Sequence, residues 1–284
     1  MFVKALLSGA AMASAAMGHV IRAQGPQKFT CGAPEPTDEQ ISAANRFSQI
    51  ESEMVRRQDN ASIAATLEVE TYFHVVSSST SESDGYVSDS VLADQLAVMN
   101  SDYAPQGVSF NLAGTTRTVN SNWANDNGEL AMKQSLRQGG YDALNVYFLT
   151  YLSGYLGYCY FPTSVSTGSN DFYYDGCSIL WETVPGGPAA PYNEGKTVTH
   201  EVGHWFGLYH TFQGGCTGSG DYISDTPAQA SASSGCPTGR DSCPSQSGVD
   251  PIHNYMDYSN DACYEEFTDG QETRMFTMWN TYRA

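Results

Sequence analysis

Positive charge is scarce in this chain. Thirteen lysines and arginines stand against 31 aspartates and glutamates in 284 residues, a formal net charge of −18. An acidic surface of that kind repels phosphate backbones and anionic headgroups, which excludes nucleic acid as a partner. A long apolar run is also missing. The opening Ala5-Leu6-Leu7 stretch is short and fades into Ala, Ser and Met, and nothing later approaches the length that crosses a bilayer. No membrane anchor is expected. The seven cysteines contain no C-x-x-C pair, which removes the commonest signature of an all-cysteine zinc site. There are no internal repeats.

What is present points outward from the cell. Lys4, then an apolar stretch, then small residues read as a secretory signal peptide over residues 1–18. Seven cysteines fit an oxidising compartment, so a secreted, extracellular protein is expected. Its length suits one large domain or two small ones, and a monomer is expected. Beyond the signal, Thr37 and Gln40 can cap a helix whose apolar residues Ile41, Ala44, Phe47, Ile50 and Met54 recur at helical spacing up to Arg56-Arg57. Asn60-Ala61-Ser62 is an N-glycosylation sequon at Asn60.

From residue 67 the pattern becomes mixed. Residues 67–76 alternate and read as a strand, in which His74 is a packed residue rather than a ligand. Residues 89–103 read as a helix, 108–112 as a strand, 129–138 as a helix and 143–152 as a buried strand. Residues 177–182 read as a further strand and 268–279 as a closing helix. Between them, residues 211–249 are rich in Gly, Ser, Pro, Cys and Asp and show little periodicity. Such a stretch buries little apolar surface, so covalent links or bound ions must hold it. Asp221, Asp225 and Thr226 offer oxygens suited to Ca2+ there, and solvated loop acids would look the same.

The chemistry concentrates in His200-Glu201-Val202-Gly203-His204-Trp205-Phe206-Gly207-Leu208-Tyr209-His210. On a helix, residues four apart share a face, so His200 and His204 can hold one zinc ion. Gly207 is the residue type that ends a helix by a left-handed turn, returning His210 to the same ion. Three ligands and an open position describe a catalytic zinc site, with Glu201 placed to move the proton of a water. A silent binding module on such a scaffold would be expected to lack Glu201 or a ligand, and all are present. Trp205 and Phe206 read as core residues, and His253 as a packing or surface residue.

These residues, with Asn254-Tyr255-Met256-Asp257-Tyr258 downstream, make the chain resemble a metzincin zinc metallopeptidase. More narrowly it resembles the short secreted fungal and bacterial members of the pappalysin family. Thr211-Phe212-Gln213-Gly214-Gly215-Cys216 and Ser224-Asp225-Thr226-Pro227 carry that narrower likeness, which covers residue 67 to the end, with a weaker echo at Cys31-Gly32. The resemblance implies an α+β catalytic domain over 58–284. An upper subdomain of about 67–209 would hold a twisted mixed β-sheet, a backing helix and the active-site helix. A smaller, irregular, disulfide-linked lower subdomain of about 210–284 would carry the turn at Met256, a hydrophobic floor for the imidazoles. It also implies a role at the metal for Tyr258, structural Ca2+, and a protein or peptide substrate lying extended along the sheet's edge. Cys236–Cys263 is the pair implied by the family. Cys216–Cys243 and Cys159–Cys177 are then the simplest remaining pairs. The seventh cysteine, Cys31, lies ahead of the catalytic domain in a prosegment expected over 19–57. A thiolate is a good fourth zinc ligand, so Cys31 is a candidate for latency, released by a cut near Arg56-Arg57.

Overall fold

The computed structural model describes residues 29–57 and 66–284, with 52–57 described by their backbone alone. The expected signal stretch and Asn60 lie outside the described residues. A helix, α1 (Asp38–Arg57), comes first. Its cap is reciprocal: the Thr37 N–H donates to Gln40 Oε1 at 2.9 Å and the Gln40 N–H to Thr37 Oγ1 at 3.2 Å. Then follow β1 (Leu67–Ser77), α2 (Asp89–Tyr103), β2 (Val108–Val119), α3 (Ser121–Ala124) and α4 (Glu129–Leu136). After these come β3 (Leu144–Leu149), β4 (Gly157–Cys159), α5 (Asn170–Tyr174), β5 (Cys177–Leu180), α6 (Lys196–Trp205) and α7 (Asp269–Tyr282).

The strands form one mixed sheet in the order β2-β1-β3-β5-β4. β1 is parallel to β2 and β3, and β3 to β5; β4 alone runs antiparallel, on the edge beside β5. Inner parallel strands are covered on both faces and read as near-continuous apolar runs. β3, Leu-Asn-Val-Tyr-Phe-Leu, is buried at every residue. β2 extends seven residues past the expected Leu112, because Ala113 is the extra residue of a bulge opposite Thr71 and Tyr72. The bulge breaks the sequence alternation without ending the strand, and it brings Thr116 opposite His74. His74 is buried between Thr116 Oγ1 and Asn145 Oδ1, each 2.8 Å away, and burial lowers its pKa to about 4. It is a satisfied core residue. β4 escaped the sequence reading because three residues that begin with glycine show no period.

α2 and α6 pack on the sheet around Val69, Phe73, Met99, Phe148, Val198 and Val202. α2 backs α6 through polar contacts as well. The Tyr103 hydroxyl donates to the Thr199 carbonyl at 2.8 Å, and Asp102 accepts from Thr199 Oγ1 at 2.6 Å and from the Tyr255 hydroxyl at 3.1 Å. Trp205 and Phe206 are wholly buried core residues.

Beyond α6 the chain has almost no regular structure before α7, so other devices hold it. Disulfides join Cys216–Cys243 and Cys236–Cys263, and a third, Cys159–Cys177, ties β4 to β5. Buried carboxylates take up loop amides. Asp257 accepts from the Ser233 N–H and Gln229 Nε2, and Asp250 accepts from the Ser242 N–H. α7 begins with a capping box between Thr268 and Gln271. α1 lies on α7, where the buried Arg274 grips Glu51 with Nε at 2.9 Å from Oε1 and Nη2 at 2.8 Å from Oε2. Among the described residues no helix is long and apolar enough to cross a membrane.

Candidate active site

α6 presents His200 and His204 on one face, one turn apart. Phe206 closes the helix and Gly207 follows at φ 89, a left-handed conformation that costs glycine little. A side chain there would also run into Met278 of α7. The reversal brings His210 back beside the helix. His204 Nε2 stands 3.2 Å from His200 Nε2 and 3.1 Å from His210 Nε2. The outer nitrogens of the two helix histidines are tied down. His200 Nδ1–H donates to the Tyr255 carbonyl at 2.6 Å, and His204 Nδ1–H to the Leu208 carbonyl at 2.8 Å. A carbonyl can only accept, so the proton is fixed on Nδ1 and each Nε2 turns a lone pair inward.

The three imidazoles are disposed to stay neutral. Burial lowers the pKa of all three, His204 to about 4, and the neighbouring histidines depress His200 and His210 further. Neutral Nε2 atoms converging on one point fit a metal ion. The edge of a tetrahedron with zinc–nitrogen bonds is about 3.3 Å, close to the spacings seen here.

Below this group the turn after Asn254 comes up from the lower region. Met256 is wholly buried beside Gly203, and its carbonyl accepts from the Thr211 N–H at 3.2 Å, joining the two arms of the site. Tyr258 Oη lies 3.2 Å from His210 Nε2, and burial pushes its pKa up. Glu201 is also wholly buried, and burial raises its carboxyl to about 8.

The segment before α1 enters the cleft. The Leu156 N–H donates to the Thr30 carbonyl at 2.9 Å and the Gly32 N–H to the Gly157 carbonyl at 2.8 Å, so the segment lies along β4 in the parallel sense. Between those bonds Cys31 points at the histidines, its Sγ 3.5 Å from His204 Nε2 and 3.4 Å from Glu201 Oε2. Cys31 is the one free cysteine among the described residues, and burial followed by the Glu201 charge pushes its thiol well up. Phe29, which sequence reasoning passed over, packs 4.9 Å from the His200 ring and 4.8 Å from Tyr258. Nothing local marks it, because its partners lie far along the chain.

The loop acids divide. Asp225 turns to the start of α7, accepting from Thr268 Oγ1 and the Gly270 N–H at 2.8 Å each. Asp221 is buried; its Oδ1 accepts from Thr226 Oγ1 at 2.7 Å, and its Oδ2 has no partner. Both line a cavity of about 450 Å³ with Thr226, Pro227 and Gln246. His253 Nδ1–H donates to the Cys263 carbonyl at 2.6 Å, a packing role. It sits near the sulfurs of Cys236 and Cys263, which are spent on each other.

Residues 145–280 match the family model described as pregnancy-associated plasma protein-A. The chain is 58% identical to an extracellular metalloprotease of Neurospora crassa over all of its own length and 99% of the other. It is 62% identical to extracellular metalloprotease 1 of Coccidioides posadasii over 90% of each chain. Among solved structures it is similar to mature mirolysin of Tannerella forsythia in complex with a cleaved peptide. That match has a TM-score of 0.63 at 30% identity and covers 76% of this chain and 93% of that one. It is also similar to a mutant of promirolysin from the same organism, with a TM-score of 0.67 at 29% identity, covering 89% and 94%. The fold and the histidine cluster define an α+β metallopeptidase with a metzincin architecture. The chain belongs to the pappalysin family, as an extracellular metalloprotease.

Proposed function

We propose that the protein is a zinc-dependent endopeptidase made as a latent precursor, with His200, His204 and His210 as zinc ligands and Glu201 as general base and acid. The convergence of three neutral Nε2 atoms beside a buried carboxylate carries this reading. Zinc held there by His200, His204 and His210 would supply Lewis acidity to the scissile carbonyl and to the attacking water. Glu201 takes the proton of that water and hands it to the departing amine. Glu201, buried beside the histidines, is placed to take that proton and give it back within the closed site. Tyr258 stands over His210 with a hydroxyl kept protonated, ready to donate to the charge that develops on the substrate oxygen. Met256 contributes a dry floor and no ligand.

Residues 29–57 serve as the latency segment. Cys31 occupies the space next to Glu201 and His204 where the reacting water would stand. A bound zinc would hold its thiolate, reversing the rise that burial alone imposes on the thiol. Removal of the chain through Arg57 would open the cleft to a protein substrate. Ca2+ in the loop cavity is supported by one orphaned oxygen, Asp221 Oδ2.

The test is Glu201→Gln in the activated enzyme. It should retain one equivalent of zinc while casein hydrolysis drops by roughly 10²–10⁴-fold. Near wild-type hydrolysis by that variant would refute the assignment.

A further inference from the structure

Gly157 is a glycine in a strand, where that residue type is disfavoured for its entropy and its lack of a side chain to pack. Its backbone does not demand glycine, for it is not among the residues with positive φ. It pairs in ordinary antiparallel register with Ile179 on β5. What demands glycine is the neighbour across the gap. A Cβ at this position would stand 2.7 Å from Cγ, 3.1 Å from Cδ and 3.0 Å from Oε1 of Glu201. The clash therefore runs along the Glu201 side chain from near its root and is not confined to a mobile tip.

Neither wall of this gap is free to yield. On one side β4 is paired to β5 and fastened by the Cys159–Cys177 disulfide two residues on. On the other, α6 is braced by Tyr103 and Asp102 of α2 through Thr199. Few hydrogen bonds place the carboxylate itself. Oε1 is buried with no partner within hydrogen-bond reach; the groups that face the carboxylate are the Cys159 main-chain amide of β4 and the Cys31 thiol, which donates to Oε2. That thiol leaves with the latency segment.

We infer that Gly157 is a positioning residue for Glu201: its bare Cα is the surface against which the carboxylate is set beside the histidines. This rests on the assignment of Glu201 as the base. The main-chain carbonyl of Gly157, which accepts from Gly32 here, is chemically unchanged by substitution. Gly157→Ala should therefore lower kcat while KM moves little. A displacement near 1 Å corresponds to a loss of roughly 10²-fold.

The experiment is a double-mutant cycle on the full chain, read by melting temperature and, after activation, by kinetics and metal content. Gly157→Ala should lower kcat with zinc content, and the visible spectrum of the cobalt-substituted enzyme, unchanged. In a Glu201→Gln background it should cause no further loss. It should lower the melting temperature, and Glu201→Ala should suppress that fall by vacating the contested space, a result readable even if Gly157→Ala alone folds poorly. A wild-type kcat in Gly157→Ala, or the same melting cost with and without the Glu201 side chain, would overturn the inference. Retained activity in Glu201→Gln alone would instead overturn the base assignment.

Discussion

Cys31 Sγ lies 3.4 Å from Glu201 Oε2, although 170 positions separate the two residues in the chain. On the proposed mechanism the contact sets a thiol where the reacting water would stand, and the two flanking main-chain bonds to β4 hold it there. Replacing Cys31 by Ala in the uncut precursor should therefore release proteolytic activity. Casein hydrolysis by the two uncut forms, with mass spectrometry confirming an intact chain, checks this. Equal activity in both would remove Cys31 from the latency mechanism.

The same segment has a second hold far from the cleft, where Arg274 on α7 grips Glu51 on α1. Both side chains are nearly inaccessible, at 1% and 9% exposure. Removing one partner of a buried pair costs about 3–5 kcal/mol while the other charge stays dry, and less once water enters. Glu51→Ala should loosen α1, speeding its amide hydrogen exchange and its removal by added protease. Unchanged exchange in α1 would show that the pair does not hold the segment down.

Asp221 gives a pH prediction. Burial raises its carboxyl from an ordinary 3.8 to about 7, against which Thr226 and the Ile223 amide pull back. A folded-state pKa above the unfolded value means that the folded chain holds the proton more tightly. The stability this contributes is full below pH 3.8 and is lost as pH rises through about 7. With chelator present, Asp221→Asn should gain melting temperature relative to wild type at pH 8 more than at pH 5. Added Ca2+ should stabilise wild type at pH 8 and leave Asp221→Asn largely unaffected. A wild-type–variant difference that is flat across pH in chelator would sink the titration account, and an equal Ca2+ response in both would sink the ion site.

Much of the molecule was legible in the residues themselves. Periodicity alone placed α2 and the start of β1, because amphipathic helices and alternating strands write their contacts into local order. The spacing of His200 and His204 put both on one helix face, and Gly207 marked the reversal that returns His210, for these depend only on helix geometry and on one residue's tolerance of positive φ. The family likeness supplied Met256, Tyr258 and the pairing of Cys236 with Cys263, which no local rule yields.

Tertiary structure decided the rest. β4 is invisible in the sequence because three residues have no period, yet it forms the cleft's edge and carries Gly157. Phe29 and Glu51 find partners about 170 and 220 positions away, at His200 and Arg274, and no pattern of nearby residues encodes such meetings. The loop acids looked alike, and only packing separated them: Asp225 was drawn to the start of α7, where amides lack partners, while Asp221 was buried with one oxygen unpaired. Local order determines what each segment can become. Which charge is left uncompensated, and which glycine must stay bare, depends on surfaces that meet only when the whole chain has closed.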